Sequence, residues 1–508
     1  MVAYFCAEYA LSVNKPLYAG GLGILAGDLL REASDTNFPM IAIGLYYHSP
    51  DHIVDQKYFS PVDISISVPI QDHDVNLKVW LCHEGKIPVY LLDTYIDSNT
   101  AQDKTITDEL YVSQKEARLK QDLILGIGGF RLLKALNINP DFYHLNEGNS
   151  AFLAFELANS LADQNQVNFS QGLTLASKRI VFTNHTLITA GHELYSDDLV
   201  SLLLSKYASD INIPLIDLIN LGLVQESSTF SLTMLALRLS GKVNAVSHLH
   251  ATKAAQIWAH HPMVPITNGI HISTWDKLTT SNHLPEAHLH QKQLLLDHIS
   301  QTCQRHWSSD TLLIGWARRI VTYKRPLAIF SEIEKLKNIA RRHDFPVRFV
   351  FSGLSHPADI PGLQALDELK NIITNQIPDL AVYLPNYDFK LAQLLTSGCD
   401  VWLNTPIVGF EACGTSSMKA ALNGTLFCTT ADGWIPELHE ATLKSTGWIL
   451  DNDQVSSDFI QKLENTIVPE FYTHKNVWES KMAAARQLIQ TQFSATRMLR
   501  EYQEKLYI

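Results

Sequence analysis

Short apolar runs alternate with longer amphipathic stretches along most of this chain, and the alternation limits the folds that it can adopt. Val2–Phe5 and Met40–Tyr47 are apolar runs of strand length, with apolar residues at helical spacing between them. Later apolar runs of strand length lie at residues 312–317, 347–352, 381–384, 401–403 and 425–430. Buried parallel strands consist of such continuous apolar runs, and helices connect them. The sequence therefore predicts an α/β fold of parallel sheets covered by helices.

The length of the chain predicts two such domains. A single hydrophobic core stops growing near about 250–300 residues, and this chain has 508. The segment between His271 and His306 contains few long apolar runs, so we place the boundary there. We expect residues 1–280 and 281–508 to form two doubly wound, Rossmann-like domains that face a cleft. Ligands of such sheets bind outside the carboxyl ends of the strands.

Long helices are predicted in both halves of the chain. Thr107–Leu136 has the pattern of one long helix, interrupted near the glycines at 126, 128 and 129. Ala328–Arg342 is a shorter helical stretch between two predicted strands. Trp478–Leu506 is amphipathic throughout, and we expect this last helix to pack back on the N-terminal domain.

Composition argues against several classes of protein. The formal net charge is −12, from 40 basic and 52 acidic residues, whereas a general nucleic-acid binder shows a basic excess. No apolar run reaches the roughly 18 residues of a membrane span. The six cysteines form no C-x-x-C pair and the 21 histidines no H-E-x-x-H motif. We expect a cytoplasmic protein that binds no nucleic acid, no membrane and no metal.

A glycine-rich segment, Tyr18–Gly23, lies between the first predicted strand and the first predicted helix. Gly20, Gly21 and Gly23 let the backbone approach a ligand closely, and the helix that follows offers unpaired N–H groups. Both features suit a phosphate. A tight turn without a ligand explains the segment equally well.

A basic cluster follows the predicted strand at residues 312–317. Arg318, Arg319, Lys324 and Arg325 lie at the carboxyl end of that strand, where the cleft is expected. Arginine grips a phosphate through two hydrogen bonds and lysine adds a point charge. The alternative is a solvated helix start, but basic residues are poorly placed at a helix N-terminus. The cluster favours an anion site.

A third segment places Lys419 among small residues, in the stretch Glu411–Gly424. A lysine shielded by such neighbours can act as an amine nucleophile, although spacing alone favours an ordinary surface lysine. Polar clusters at residues 145–150, 183–186 and 267–271 follow apolar segments and suit sugar hydroxyls. Taken singly, each of them fits a turn or a helix cap better.

Taken together, these segments resemble the glycogen and α-glucan phosphorylase family, in its short bacterial and archaeal branch. The matching stretches are Tyr18–Asp28, His144–Ala151, Val181–His192, Leu235–His250, Ile266–Trp275, Gly315–Arg325, His356–Asp359 and Asn404–Gly433. The last stretch is the most specific, because it holds the family's cofactor-lysine motif. The resemblance implies the two-domain GT-B glycosyltransferase architecture. It also implies a retaining hexosyltransferase that moves terminal α-1,4-linked glucose between glycogen or maltodextrin and inorganic phosphate, with glucose 1-phosphate as product.

The resemblance also implies a cofactor and a role for each matching residue. Lys419 corresponds to the lysine that carries pyridoxal 5′-phosphate, whose phosphate relays a proton in this family. The other cofactor-binding positions are Gly20, Gly21, Gly23, Arg318, Thr415, Tyr387 and Trp275. Positions matched to catalysis and the substrate phosphate are Arg319, Lys324 and His185. The glucose-binding positions are Glu411, Gly414, Asn268, Tyr323, Glu147 and Asn149, besides His185. Members of the family are often dimers, so we expect a homodimer.

Several positions depart from the family pattern, among them Val112 and Ser113, which stand where the short branch often has two glycines. Asn149 replaces a histidine, Cys413 a serine and Leu354 a lysine. We expect an active enzyme with shifted substrate affinity. Three alternatives stay open: a nucleotide-sugar glucosyltransferase that needs no pyridoxal phosphate, a catalytically impaired glucan-binding homologue, and a glycosidase that uses Glu411 and Asp432.

Overall fold

A computed structural model describes residues 1–13, 15, 17–49, 53–187, 194–224, 227–278, 281 and 283–508. The predicted match at 181–192 therefore ends outside the described residues. Residues 279, 280 and 282 of the predicted boundary segment also lie outside them. The chain forms two compact units, one of residues 1–246, 250–266 and 499–508, the other of residues 247–249 and 267–498. Residues 267–278 lie with the second unit, whereas the sequence assigned them to the N-terminal domain. The domain assignment and the facing arrangement stay predictions.

The first unit contains eleven strands in its described part. They are β1 (Val2–Phe5), β2 (Met40–Leu45), β3 (Ser60–Ile70), β4 (His73–Glu84), β5 (Ile87–Asp93), β6 (Phe142–Asn146), β7 (Ile180–Asn184), β8 (Leu194–Ser196), β9 (Thr229–Ser231), β10 (Lys242–Ala245) and β11 (Val264–Pro265). The helices that accompany them are α1 (Gly21–Asp35), α2 (Ala101–Lys104), α3 (Lys115–Leu123), α4 (Gly129–Ala135), α5 (Leu153–Asn165), α6 (Phe169–Ser177), α7 (Asp197–Asp210), α8 (Leu215–Gly222), α9 (Leu232–Leu239) and α10 (His248–Ile257).

Nine of these strands form one sheet in the order β11-β10-β7-β6-β1-β2-β5-β4-β3. Most of the pairs are parallel, with Val2 of β1 aligned to Met40 of β2 and Phe142 of β6. The prediction of purely parallel strands is wrong at one edge, where β4 runs antiparallel to both β3 and β5. Burial alternates along the first part of β3, and a strand with one solvated face is typical of antiparallel pairing.

The second unit contains a six-stranded sheet. Its strands are β12 (Leu312–Ala317), β13 (Val347–Ser352), β14 (Ala381–Leu384), β15 (Val401–Asn404), β16 (Leu426–Thr430) and β17 (Gly447–Leu450). Its helices are α11 (Ile272–Trp275), α12 (Leu284–Cys303), α13 (Ile333–Ala340), α14 (Ile360–Asn375), α15 (Phe389–Gly398), α16 (Ser416–Leu422), α17 (Glu440–Thr446), α18 (Val455–Lys462), α19 (Val468–Tyr472), α20 (Lys475–Gln492) and α21 (Ala495–Lys505), the last crossing into the first unit.

All six strands of this second sheet are parallel, in the order β14-β13-β12-β15-β16-β17. This is the order of a doubly wound sheet, in which the sequence of strands switches from one side of β12 to the other at the neighbouring pair β12 and β15. A core that includes Leu295, Val350, Leu395 and Trp402 packs one face against α12 and α15. The carboxyl ends of β12 and β15 are therefore the expected place for a ligand.

Two predicted long helices are each divided in the structure. The stretch Thr107–Leu136 contains α3 and α4, joined by a π-helical segment at Ile124–Gly128, and it starts only at Lys115. A Cβ on Gly126 would lie 2.8 Å from the backbone nitrogen of Leu153, so the glycine permits a close approach there.

The C-terminal stretch divides into α20 and α21 near Phe493. Phe493 accepts a hydrogen bond from the Ile270 backbone N–H at 3.0 Å, and Ala495 donates one to the Ile270 carbonyl at 2.7 Å. The break therefore exchanges helical hydrogen bonds for bonds to a neighbouring segment. The predicted helix Ala328–Arg342 is shorter in the structure, as α13. Among the described residues, no helix combines the length and apolar character that crossing a bilayer requires.

A buried ion pair attaches α12 to the amino-terminal edge of the second sheet. The Lys292 ammonium donates to Asp400 and to the Thr311 carbonyl, both at 2.6 Å. The Asp400 carboxylate also accepts from the Leu313 backbone N–H at 2.7 Å. Neither charged side chain is more than 4% exposed. Removing one partner of such a pair leaves an uncompensated charge inside the protein.

Replacing Lys292 with methionine tests this attachment. Lys292→Met should lower the free energy of unfolding by about 3 kcal/mol or more, because Asp400 stays buried without its ammonium partner. The matched control is Arg341→Met, which breaks a half-exposed pair with Asp379 and should cost less than about 1 kcal/mol. Urea unfolding measures both variants, and equal losses would contradict a special role for the buried pair.

Candidate functional site

A buried guanidinium lies at the carboxyl ends of β12 and β15. Arg318 directly follows β12 and is 7% exposed. Its Nη1 donates to the side chain of Asn404, the last residue of β15, and its Nη2 donates to Glu411. Its Nε has no hydrogen-bond partner in the described part of the chain. The guanidinium therefore retains a donor at the position where a doubly wound sheet binds its ligands.

Two further charged groups surround this guanidinium. Lys324 Nζ lies 3.9 Å from the Glu411 carboxylate, and Arg319 is exposed beside it. Burial, together with the positive charge of Arg318, lowers the pKa of Lys324 to about 7 against the attraction of Glu411. Burial alone would raise the pKa of Glu411, but Arg318 and Lys324 hold it below its usual range. The cluster thus contains one buried carboxylate and three basic side chains. This excess of positive charge suits an anionic ligand.

The Glu411 carboxylate keeps one oxygen for a ligand. Its Oε1 contacts Arg318, whereas Oε2 is buried and accepts no hydrogen bond from the described residues. Gly414 makes this arrangement possible, because a Cβ there would overlap Oε1 of Glu411 and lie 3.1 Å from Arg318. An unsatisfied buried carboxylate oxygen is costly unless a donor such as a hydroxyl reaches it.

Backbone hydrogen bonds fix the loop that carries Glu411. The buried carboxylate of Asp432 accepts from the backbone N–H groups of Gly409 at 3.0 Å and Glu411 at 2.9 Å. Arg325 donates to the carbonyls of Thr405 and Pro406, both at 2.8 Å. Because its main chain is bound on both sides, the loop holds Glu411 in one position. Asp432 thus acts on the backbone, which weakens its interpretation as one of two paired glycosidase carboxylates.

Lys419 lies on α16, one turn after Gly414. It is 7% exposed, and its ammonium lies 4.1 Å above the ring of Trp275. The amide of Asn423 donates to the carbonyls of both Lys419 and Trp275 at 2.8 Å, which holds the two residues together. The ordinary surface lysine that spacing alone favoured is therefore not what the structure shows.

Asn268, also in the second unit, contacts the loop that carries Glu411 and Gly414. Its amide nitrogen donates to the Cys413 carbonyl at 3.3 Å, and its amide oxygen is buried without a partner among the described residues. The neighbouring Thr267 hydroxyl donates to Glu437 at 2.8 Å, and Arg497 donates to the backbone carbonyls of Thr267 and Asn268. Asn268 is therefore held firmly and presents an acceptor to a ligand.

In the first unit, a carboxylate lies under the glycine-rich segment. Glu8, which is buried, accepts from the backbone N–H groups of Ala19 at 2.7 Å and Gly20 at 3.0 Å, and from the Tyr111 hydroxyl at 2.7 Å. The N–H of Gly20 is therefore bound by the protein itself. A phosphate at this segment would depend on the N–H groups that follow, where α1 begins at Gly21.

Three neutral histidines lie in the first unit: His144 within β6, His185 directly after β7 and His250 on α10. His144 bonds the Thr183 hydroxyl at 2.6 Å, and His250 bonds the Asn184 amide oxygen at 2.8 Å. Burial lowers the pKa of each of these two histidines to about 3. His185 bonds the Asn146 amide oxygen at 2.6 Å. Burial, reinforced by the neighbouring His250, likewise lowers the pKa of His185 to about 3.

Of the other predicted positions in the first unit, Glu147 contacts one of these histidines and Asn149 contacts a different residue. Glu147 accepts from the His185 backbone N–H at 2.9 Å. Asn149 donates to Asp122 at 3.0 Å, and Asp122 also accepts from the Tyr195 hydroxyl. The Asn149 amide is thus engaged with a carboxylate of its own unit. The described residues contain no cluster of three side chains suited to a metal ion.

The second unit brings most of its predicted positions together by direct contact. Arg318, Lys324, Tyr323, Glu411 and Gly414 form one cluster, and Lys419 of α16 forms a second with Trp275 of α11. Tyr387 reaches the Ala317 carbonyl at 3.5 Å, at the end of β12. Thr415 precedes α16 and has no side-chain cap hydrogen bond.

Sequence reasoning missed the residues that position this cluster. Asn404 ends β15 with a polar group, and the rule that ligands bind at strand ends would have singled it out. Asp432 was considered only as a catalytic carboxylate. Glu8 carries no such signal, because its contact with the glycine-rich segment follows no local spacing.

Comparison with known proteins gives a consistent result. A family model described as carbohydrate phosphorylase matches residues 273–455. The chain is 32% identical to a maltodextrin phosphorylase of Thermococcus litoralis, over 100% of this chain and 70% of the relative. It is 30% identical to a glycogen phosphorylase of Aquifex aeolicus, over 100% of this chain and 86% of the relative. A glycogen phosphorylase of Mycobacterium tuberculosis is 29% identical, over 100% of this chain and 70% of the relative.

The neutral histidines of the first unit predict a loss of stability in acid. An unfolded histidine takes up a proton near pH 6.5, whereas in the folded protein His144, His185 and His250 do so only near pH 3. Between these values the unfolded state binds more protons, so stability falls as the pH falls. Each histidine contributes up to about 1.4 kcal/mol per pH unit.

Denaturant unfolding between pH 7.5 and pH 4.5, values chosen to bracket about 6.5, measures this slope. His144→Gln should reduce the slope relative to the wild type, since it removes one of the three titrating groups. His343→Gln is the control, because that ring is exposed to solvent. A slope that His144→Gln leaves unchanged would contradict the assignment.

Proposed function

Because this chain belongs to the carbohydrate phosphorylase family, we propose that it is an α-glucan phosphorylase. The proposed reaction moves terminal α-1,4-linked glucose from glycogen or maltodextrin to inorganic phosphate, giving α-D-glucose 1-phosphate with retained configuration. The observation that carries the proposal is the buried pair of Arg318 and Glu411. That pair leaves a cationic donor and a carboxylate acceptor without protein partners in the described residues.

The cluster around these two unused groups suits both a phosphate and a sugar. A phosphate needs cationic donors, and Arg318, Arg319 and Lys324 provide three positive side chains in one cluster. A glucose needs acceptors for its hydroxyls, and Glu411 Oε2 is a buried acceptor in the same cluster. We propose that Arg319 and Lys324 bind the substrate phosphate and that Glu411, Gly414, Tyr323 and Asn268 line the glucose.

The charge state of Lys324 fits this role. With a pKa of about 7, its amine is poised between the neutral and the charged form at physiological pH. An incoming phosphate adds negative charge and favours the protonated amine. Binding of substrate and protonation of Lys324 therefore reinforce each other, and the bound phosphate gains an ion pair with an ammonium that is only 13% exposed.

The residues around Lys419 fit pyridoxal 5′-phosphate. An aldehyde cofactor needs an amine removed from water, and the Lys419 amine lies buried against the indole of Trp275. The cofactor's phosphate needs a donor, and the unpartnered Arg318 Nε is one. We propose that Lys419 carries the cofactor, that Arg318 and Thr415 bind its phosphate, and that Trp275 and Tyr387 flank its ring. When bound, the cofactor supplies a phosphate that exchanges a proton with the substrate phosphate.

The proposed residues of the first unit follow from the family resemblance. Gly20, Gly21 and Gly23 are proposed for the cofactor, and His185, Glu147 and Asn149 for the sugar. The neutral imidazole of His185 suits hydroxyl recognition, because it donates from one nitrogen and accepts at the other. Its bond to Asn146 fixes the ring orientation.

An assay with maltoheptaose and phosphate tests the proposed function. The purified protein should release glucose 1-phosphate only when phosphate is present and should show the near-ultraviolet absorbance of bound pyridoxal phosphate. Lys419→Ala should lose both signals, whereas the control Lys390→Ala, on the exposed side of α15, should keep both. Release of free glucose without phosphate, or turnover by Lys419→Ala, would contradict the proposal.

The close approach of Gly414 to Glu411 gives a second test. Gly414→Ala places a methyl group where Glu411 Oε1 lies, so the carboxylate must leave Arg318. We expect kcat/KM for phosphorolysis to fall by about 100-fold, the effect of losing one preorganised polar group from a buried site. Circular dichroism should show an unchanged fold. A variant with wild-type kcat/KM would show that the Glu411 position does not matter for turnover.

A further inference from the structure

Phe410 and Glu411 are adjacent in the chain but differ in their environments. Glu411 is 8% exposed, whereas Phe410 is 44% exposed. The Phe410 ring stacks on Tyr323, with ring centroids 6.3 Å apart and planes 27° from parallel. The ammonium of Lys324 lies 5.6 Å from the centroid of the same Tyr323 ring. An aromatic pair therefore borders the charged cluster on its solvent side.

The loop holds Phe410 in this exposed position. The Asp432 carboxylate binds the N–H groups of the residues on both sides of Phe410, and the Phe410 N–H donates to the Ile407 carbonyl at 3.1 Å. Gly409 adopts a φ of 90°, a conformation that favours glycine and turns the chain there. Exposing a large apolar ring from a fixed loop has a cost in water, which a ligand that covers the ring would remove.

We propose that Phe410, supported from behind by the ring of Tyr323, forms a stacking platform for the sugar ring that follows the terminal glucose of the glucan. This proposal rests on the proposed function. A pyranose ring has an apolar C–H face, and aromatic side chains bind such faces while polar groups fix the hydroxyls. Phe410 offers no hydrogen bond and no charge, so it suits this apolar face and not a phosphate.

The burial of the two neighbouring side chains decides which sugar the platform serves. Glu411 turns inward to Arg318, so the group proposed to bind the terminal glucose is buried. Phe410 turns outward from the same stretch of backbone. A glucan whose end is enclosed must leave the site on its solvent side, where its next ring meets the exposed Phe410 ring.

Variants at Phe410 test the platform through two Michaelis constants. In Phe410→Ala, the KM for maltoheptaose should rise about five- to tenfold, the value of one aromatic stacking contact. The KM for glucose 1-phosphate, measured in the synthesis direction at saturating maltoheptaose, should change less than about twofold, because that substrate has no second sugar. Phe410→Trp should restore the KM for maltoheptaose. The control Val477→Ala, a similarly exposed apolar residue on α20, should leave both constants unchanged.

The outcomes separate this proposal from the proposed function. An unchanged KM for maltoheptaose in Phe410→Ala, or an equal rise in both constants, would overturn the platform even if the wild type is an active phosphorylase. If the wild type makes no glucose 1-phosphate, calorimetric titration with maltoheptaose decides instead. Weaker binding by Phe410→Ala, restored by Phe410→Trp, would then support the platform. Equal binding, or no binding by the wild type, would refute it.

Discussion

The buried ion pair between Arg318 and Glu411 is the interaction on which the second unit's site depends. Taking such a charge out of water costs several kcal/mol for each ion, which is about as large as the free energy of unfolding of a whole domain. Partners of opposite charge and hydrogen bonds must compensate this cost. Asn404 and Lys324 supply part of that compensation. Two atoms of the pair, Arg318 Nε and Glu411 Oε2, keep no partner among the described residues. A site that compensates its charges incompletely is one in which a ligand gains by completing them.

The strand order explains why these charges meet. Arg318 follows β12 and Asn404 ends β15, and these two strands are neighbours at the reversal point of the sheet. Connections from adjacent strands leave in opposite directions there, which opens a crevice at their carboxyl ends. The ion pair of Lys292 and Asp400 stabilises the same sheet from its amino ends. Scaffold and site therefore occupy opposite ends of the same strands.

The sequence predicted most buried strands because their signal is local. The apolar runs Leu312–Ala317 and Val347–Ser352 coincide with β12 and β13 at both ends. It missed β3 and β4, whose alternating pattern marks antiparallel strands and was overlooked among continuous apolar runs. It joined α20 to α21 because the amphipathic pattern continues through Phe493. The break depends on hydrogen bonds to Ile270, far away in the sequence, and no local pattern reports them.

The same distinction applies to the site. Motifs identified Arg318, which follows a strand end in a basic segment, and Lys419, which lies in the family's cofactor-lysine motif. They did not reveal that Asp432 holds the backbone on both sides of Phe410, since that contact joins two segments that are separate in sequence. The charged groups of the site can thus be predicted from the sequence. The groups that fix their positions can be identified only in the folded structure. Because a preorganised site owes its strength to those positions, predicting its residues is not the same as predicting how strongly it acts.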